Sequence, residues 1–164
     1  MRFNRFLLLV ALAGLSTVGF AESDAQKSFT NLKTLAGSWQ GTYDGKPVQV
    51  SLRVTSMGNT LMHEMTRPGN SDDPITMLYL EGDRLLLTHY CDAGNRPRMT
   101  AELMPDGKTV EFKFLDVANF SSAQGGYMQH AIFTTVDENH HSEDWTFLFH
   151  GKPVTAHLDL TRTK

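Results

Sequence analysis

The chain has 164 residues, with 15 basic against 18 acidic side chains, a formal net charge of −3 and one cysteine. That length suits one domain with a core of its own. No Lys/Arg run or patch is present, so nucleic acid is not an expected partner, and one cysteine cannot form an intrachain disulfide.

Arg2 and Arg5 precede the apolar run "FLLLVALAGL" and then "STVGFA", with small residues at Gly19 and Ala21. This order of basic, apolar and small residues predicts a secretory signal peptide over residues 1–21, cleaved after Ala21. The apolar run, about 10–15 residues, falls short of the roughly 20 that span a bilayer, so no transmembrane segment is expected in the mature chain. Losing Arg2 and Arg5 leaves a mature charge of about −5. The expected location is the periplasm, reached by export. Residues 22–34 read as a short lead-in segment, briefly helical around Asp24 to Leu35, and 35–164 as a single β-barrel domain.

From there the chain alternates. Val48, Val50, Leu52 and Val54 are separated by polar residues, as are Val110, Phe112 and Phe114. Trp145, Phe147 and Phe149 behave alike, and so do Val154, Ala156, Leu158 and Leu160. Period two with β-branched and aromatic content predicts half-buried strands. Turn signals at Asp44-Gly45, Gly58-Asn59, Gly82-Asp83, Asp106-Gly107 and Gly151-Lys152 separate them. About ten strands are expected, near 36–43, 47–56, 60–67, 75–81, 84–91, 98–104, 109–115, 127–136, 142–150 and 153–162. The fold class is all-β, an antiparallel up-and-down meander closed into a barrel so that no edge is left exposed.

In such a meander successive connections alternate between the rims. The short turns at Gly58, Gly82, Asp106 and Asp137–His141 share one end. The long connections 67–74, 91–97 and 116–126 share the other, which becomes a loop-rich mouth, where function tends to be placed.

Two residues mark the tight end. "LAGSWQGTY" opens the first strand and "LDLTRTK" closes the last, and alternation places Arg162 on the interior at the same rim as Trp39. Gly37, Trp39 and Arg162 resemble the calycin superfamily of lipocalins and their relatives. There a Gly-x-Trp packs at the closed bottom against a basic side chain from the last strand. The resemblance implies a barrel sealed by a cation–π contact. Ten strands with a tight first hairpin and no helical lid look more like nitrobindin-type and other bacterial calycin-like barrels than like eight-stranded lipocalins. The stretch Leu87 to Met99 resembles small exported bacterial proteins of unassigned function.

That same stretch, "LTHYCDAGNRPRM", brings His89 within two residues of Cys91. Parity predicts Leu61, His63 and Met65 on the interior, with Leu85, Leu87, His89 and Cys91 from a second strand. Met128, His130 and Ile132 are expected inside from a third strand, although Ala131 and Phe133 leave its facing open. His63, His89 and His130 are therefore the metal candidates, for a transition metal such as zinc with Cys91 as a further ligand. The nitrobindin resemblance implies a second option, haem with one histidine as axial ligand. No cofactor at all is the leading expectation, each histidine then being hydrogen-bonded in the core or outward. His140 and His141 are expected in a solvated turn.

Residues two apart in a strand lie roughly 6.5–7 Å apart at Cα, too far for a direct Cys91–His89 thiol–imidazole bond, and no catalytic residue is assigned. Arg98 and Arg96 could meet a ligand's carboxylate or phosphate, or pair with Asp72, Asp73, Asp92 or Asp116; pairing is favoured. The functional expectation is a lumen binding a small, largely apolar molecule. Phe112 and Phe147 would line it, with His63, His89, His130, Arg98 and Cys91 as polar or reactive groups toward the mouth. The alternatives are a metal- or haem-binding barrel and a structural or interaction module with a filled core.

Overall fold

The structure, a computed structural model, describes residues 21–69 and 73–163. The signal-peptide expectation therefore lies outside the described residues except at Ala21. A helix, α1 (Asp24–Lys33), leads into ten strands: β1 (Gly37–Tyr43), β2 (Lys46–Thr55), β3 (Thr60–Thr66), β4 (Ile75–Glu81), β5 (Arg84–Tyr90), β6 (Arg96–Leu103), β7 (Thr109–Ala118), β8 (Gly126–Asp137), β9 (His140–Phe149) and β10 (Lys152–Arg162). Each pairs antiparallel with its sequence neighbour, and β1 pairs with β10, closing the barrel. Among the described residues no helix is long and apolar enough to cross a membrane.

The helix starts where the sequence offers a capping box. Ser23 Oγ accepts the Gln26 amide hydrogen, and Gln26 Oε1 accepts that of Ser23. Its buried face, Phe29 and Leu32, joins the barrel core together with Leu35, each such side chain contributing about 1.5–3 kcal/mol by leaving water. Asn31 donates to the Gly107 carbonyl in the β6–β7 turn, so α1 covers the tight end.

There the first and last strands meet as the sequence suggested. Trp39 is the register partner of Arg162, whose guanidinium carbon lies 4.1 Å from the indole centroid. Arg162 also donates to the carbonyls of Thr34, Ala36 and Glu138, while Trp39 Nε1 donates to Leu35 O. Above this seal the lower lumen is solid. Leu61, Leu78, Leu85, Leu87, Met99, Val110, Phe112 and Phe133 are each 0–1% exposed.

Three register shifts break the alternation, one of them near the end of β8 between Thr135 and Asp137. Between β8 and β9 the register runs from Met128↔Phe147 to His130↔Thr146, leaving Gln129 as an extra residue. Between β6 and β7 it passes from Arg98↔Asp116 to Met99↔Phe114, with Leu115 extra. An inserted residue reverses which face the following side chains occupy. Ala131 and Phe133 therefore point inward, correcting the inward expectation for His130 and Ile132. The strand β9 also begins at His140 rather than 142, so His141 is 1% exposed inside the barrel and not in a solvated turn.

Candidate functional site

The upper lumen is open. A cavity of about 300 Å³ lies toward the mouth, walled by Met65, Met128, Trp145, Phe147, Val154, Ala156 and Leu158 and rimmed by Tyr43, Arg67, Cys91 and Asp92. Its floor on one side is a row across three strands. His63 on β3 pairs in register with Thr76 on β4, which pairs with His89 on β5. All three are buried and line the cavity.

The opposite wall is β9, where His141, Glu143, Trp145 and Phe147 share the inward face. Glu143 is fully buried, and its carboxylate accepts three hydrogen bonds. His63 Nε2 donates to Oε2 at 3.0 Å, Trp145 Nε1 to the same oxygen at 2.8 Å, and His141 Nε2 to Oε1 at 2.9 Å. Burial opposes the charge, but the His63 and His141 imidazoles and their hydrogen bonds outweigh it and hold this carboxyl far below the usual range. The ionised group is thus anchored beneath the cavity rather than exposed in it.

His89 is different. Burial first, and then the neighbouring His63, lower its pKa from 6.5 to about 4, with Asp92 acting weakly the other way. Its Nδ1 lies 2.8 Å from Thr76 Oγ1. The His63 ring centroid sits 5.4 Å and the His89 ring centroid 5.7 Å from that of Trp145, so both imidazoles pack against one indole.

The stretch that joined His89 to Cys91 is a strand entering a tight mouth turn. Gly94 N–H donates to Cys91 O, and Cys91 N–H to Asn95 O. The buried Asn95 then ties the turn to β8 by donating to Gly126 O. At Gly126 a Cβ would fall 1.8 Å from Leu148 O, so only glycine lets β8 and β9 approach here. Cys91 faces the cavity rim, where burial pushes its thiol pKa up against the pull of a backbone hydrogen bond from Ala93; the thiol is held in its protonated, less nucleophilic form. On the same rim Arg67 Nη2 pairs with Asp92 at 2.9 Å, while Arg67 Nε is buried without a partner.

Of the residues expected at the site, His63, His89, Cys91 and Phe147 come together around this cavity. His130 faces away and pairs with Glu111 at 2.7 Å, outside the barrel. Phe112 belongs to the solid lower core, packing edge-on against Phe133 at 5.9 Å. Arg98 lies on the outer face, where Nε and Nη2 meet the two Asp116 oxygens at 2.8 and 2.5 Å, the pairing that was favoured. The three candidate metal histidines are thus divided between lumen and exterior. Among the described residues no group of three or more His, Cys, Asp or Glu side chains is gathered to hold a metal ion.

Sequence reasoning missed Glu143, Thr76 and His141. The signal for two of them was available: Glu143 and His141 lie two and four residues before Trp145, and in a strand that spacing keeps one face.

No family model matches the chain, and no curated protein matches it in sequence. Among solved structures it is similar to the crystal structure of a protein of unknown function of the DUF3598 family from Nostoc punctiforme. The two share 14% identity and superpose with a TM-score of 0.53, over 80% of this chain and 49% of that one. This chain therefore spans about half the length of that neighbour. At such identity the likeness is one of fold, and it is consistent with the calycin-like barrel that Gly37, Trp39 and Arg162 suggested.

Proposed function

We propose that this barrel binds a small, largely apolar molecule in its mouth cavity, and that the chain is exported to the periplasm by its N-terminal segment. The observation that carries the binding reading is a half-filled lumen. Below Trp145 side chains pack the barrel solidly, whereas above it about 300 Å³ stays open between apolar walls. That volume is at the lower end of the roughly 300–1,000 Å³ usual for small-molecule pockets, and a mostly apolar lining with a few fixed polar groups is their usual composition.

The test is native mass spectrometry of protein purified without chelator from an exporting host, with a toluene titration followed by tryptophan emission. A small passenger mass lost under denaturing conditions, or a saturable change in tryptophan emission, supports the reading. A bare mass with no saturable change rejects it. N-terminal sequencing of the same sample tests export: a start at Glu22 supports it, and an intact Met1 rejects it.

A further inference from the structure

The mouth carries a surface feature that the cavity does not explain. Among the described residues, every exposed phenylalanine, tyrosine or tryptophan lies toward the mouth. Tyr90 and Phe149 end β5 and β9, Phe114 is in the second half of β7, and Phe120 is in the β7–β8 connection. Three rings form one cluster: Tyr127, near the start of β8, packs against Phe114 at 4.9 Å and edge-on against Phe120 at 5.1 Å. On the adjoining strand Phe149 is the register partner of Gly126 and is 51% exposed. Its ring lies 6.4 Å from that of Phe147, which walls the cavity. The exposed apolar rim thus runs on into the cavity wall.

Charge on this side of the mouth has one sign. Residues 117–136 and 145–158 contain no aspartate or glutamate, in a chain that has 18. Arg96 opens β6 as the register partner of Ala118, and Lys152 opens β10 as that of Phe149; both are exposed. The nearby carboxylate of Asp116 is held by Arg98. The other acidic residues of the mouth connections, Asp44, Asp72, Asp73 and Asp92, belong by sequence to the connections between β1 and β6.

Exposed apolar patches of this kind mark interaction sites. Aromatic rings favour the boundary between lipid and water, and lysine and arginine are drawn to anionic head groups. We propose that the side of the mouth from β6 to β10 docks on an anionic lipid bilayer. Phe120, Phe149 and the Phe114–Tyr127 pair enter to head-group depth, and Arg96 and Lys152 meet lipid phosphates. A bilayer is favoured over a protein partner because the patch borders the opening of an apolar cavity. Docked there, the opening faces the medium in which apolar molecules concentrate. Docking does not depend on what fills the cavity, so the two stand or fall separately.

The test is co-sedimentation of the full chain, as recovered from the exporting host, with two kinds of vesicle. One is phosphatidylglycerol mixed with phosphatidylethanolamine, and the other is phosphatidylcholine alone. Binding should favour the anionic vesicles and weaken with added salt. Lys152→Glu and Arg96→Glu should each lower the affinity about fivefold or more. Phe120→Ser should lower it about tenfold, through lost apolar burial. Each variant keeps the same N-terminal segment as the wild type, so any lipid contact made there is common to all. All three should melt as the wild type does and leave the toluene titration unchanged. Should Phe120→Ser fail to fold, the two charge variants and the salt dependence decide.

No binding to either vesicle overturns the proposal. Equal binding by the wild type and all the variants also overturns it, because the contact then lies elsewhere on the chain. Equal binding to both vesicles, unmoved by salt, removes the anionic lipid from it. Sedimentation equilibrium without vesicles covers a second occupant: self-association that Phe120→Ser abolishes, with no vesicle binding, would make the rim an interface between copies of this chain.

Discussion

Glu143 stands behind His63 with both side chains out of water: Oε2 accepts Nε2–H at 3.0 Å, and the two are 0% and 4% exposed. They come from β9 and β3, which are not neighbours in the barrel order. The bond is thus a polar tie across the lumen, and it places charge beneath the cavity rather than in it. Since Trp145 and His141 donate to the same carboxylate, removing Glu143 strands three donors at once.

Glu143→Ala should therefore destabilise the barrel by about 3–5 kcal/mol, the usual cost of breaking a buried charged pair from one side. Glu143→Gln keeps the shape and one acceptor oxygen but turns an amide N–H₂ toward a donor. It should lose a smaller amount, about 1–3 kcal/mol. Urea unfolding at neutral pH measures both, and a loss below 1 kcal/mol for the alanine variant would show that the tie is not structural.

Acidification should weaken the fold in two stages with distinct origins. His89 binds its proton less tightly in the folded barrel, with its pKa lowered from 6.5 to about 4. Between those values the unfolded chain holds the extra proton, so stability is fully present above pH 6.5 and falls as pH drops toward 4. A shift of that size corresponds to about 3 kcal/mol. Glu143, with its carboxyl pKa depressed, acts lower: its contribution is intact above the ordinary glutamate value of about 4.3 and is lost as pH falls further. His157, whose pKa is raised by its hydrogen bond to Asp144, has the opposite sign but is exposed and weak. Urea midpoints from pH 7 to 4 should therefore decline, and His89→Phe should flatten the decline between 6.5 and 4.

The fold was legible because its signals are local. Alternation at Val48–Leu52 or Val154–Leu160 needs only neighbours, and the Trp39–Arg162 seal follows from parity counted along two unbroken strands. The site was less legible because bulges are not written in alternation. Gln129 looks like any polar strand residue, yet it decides whether His130 or Ala131 faces inward. Leu115 makes a similar change of register in β7, opposite Arg98. Glu143 was hidden for another reason. A buried carboxylate is tolerated only when its donors are in place, and His63 lies 80 residues away in sequence.

The bulge yields its own prediction. His130 pairs with Glu111 on the outside at part-exposed positions, so His130→Ala should cost no more than about 1 kcal/mol and leave the toluene titration unchanged. Deleting Gln129 should instead restore regular pairing and force part of β8 to present the wrong face, with loss of cooperative unfolding. Circular dichroism melts and the same titrations compare them. An unaltered melt for the deletion would mean that the bulge does not set the facing of His130.

At the closed end, Gly37 and Arg162 should prove energetically inseparable. Gly37 has φ of +143°, a region L side chains rarely adopt, and a Cβ there would lie 2.4 Å from Arg162 Nη1. Gly37→Ala carries both a backbone penalty of order 1–3 kcal/mol and a clash with the guanidinium that seals Trp39. Arg162→Ala loses the indole contact and the hydrogen bonds to the carbonyls of Thr34, Ala36 and Glu138, about 2–3 kcal/mol for a partly exposed group. Once Arg162 is gone the alanine at position 37 has nothing to strike, so the double variant should be less destabilised than the sum of the singles, by about 1 kcal/mol or more. Strict additivity in urea unfolding would show that Gly37 is required by its backbone conformation alone, and that Arg162 has room to move aside.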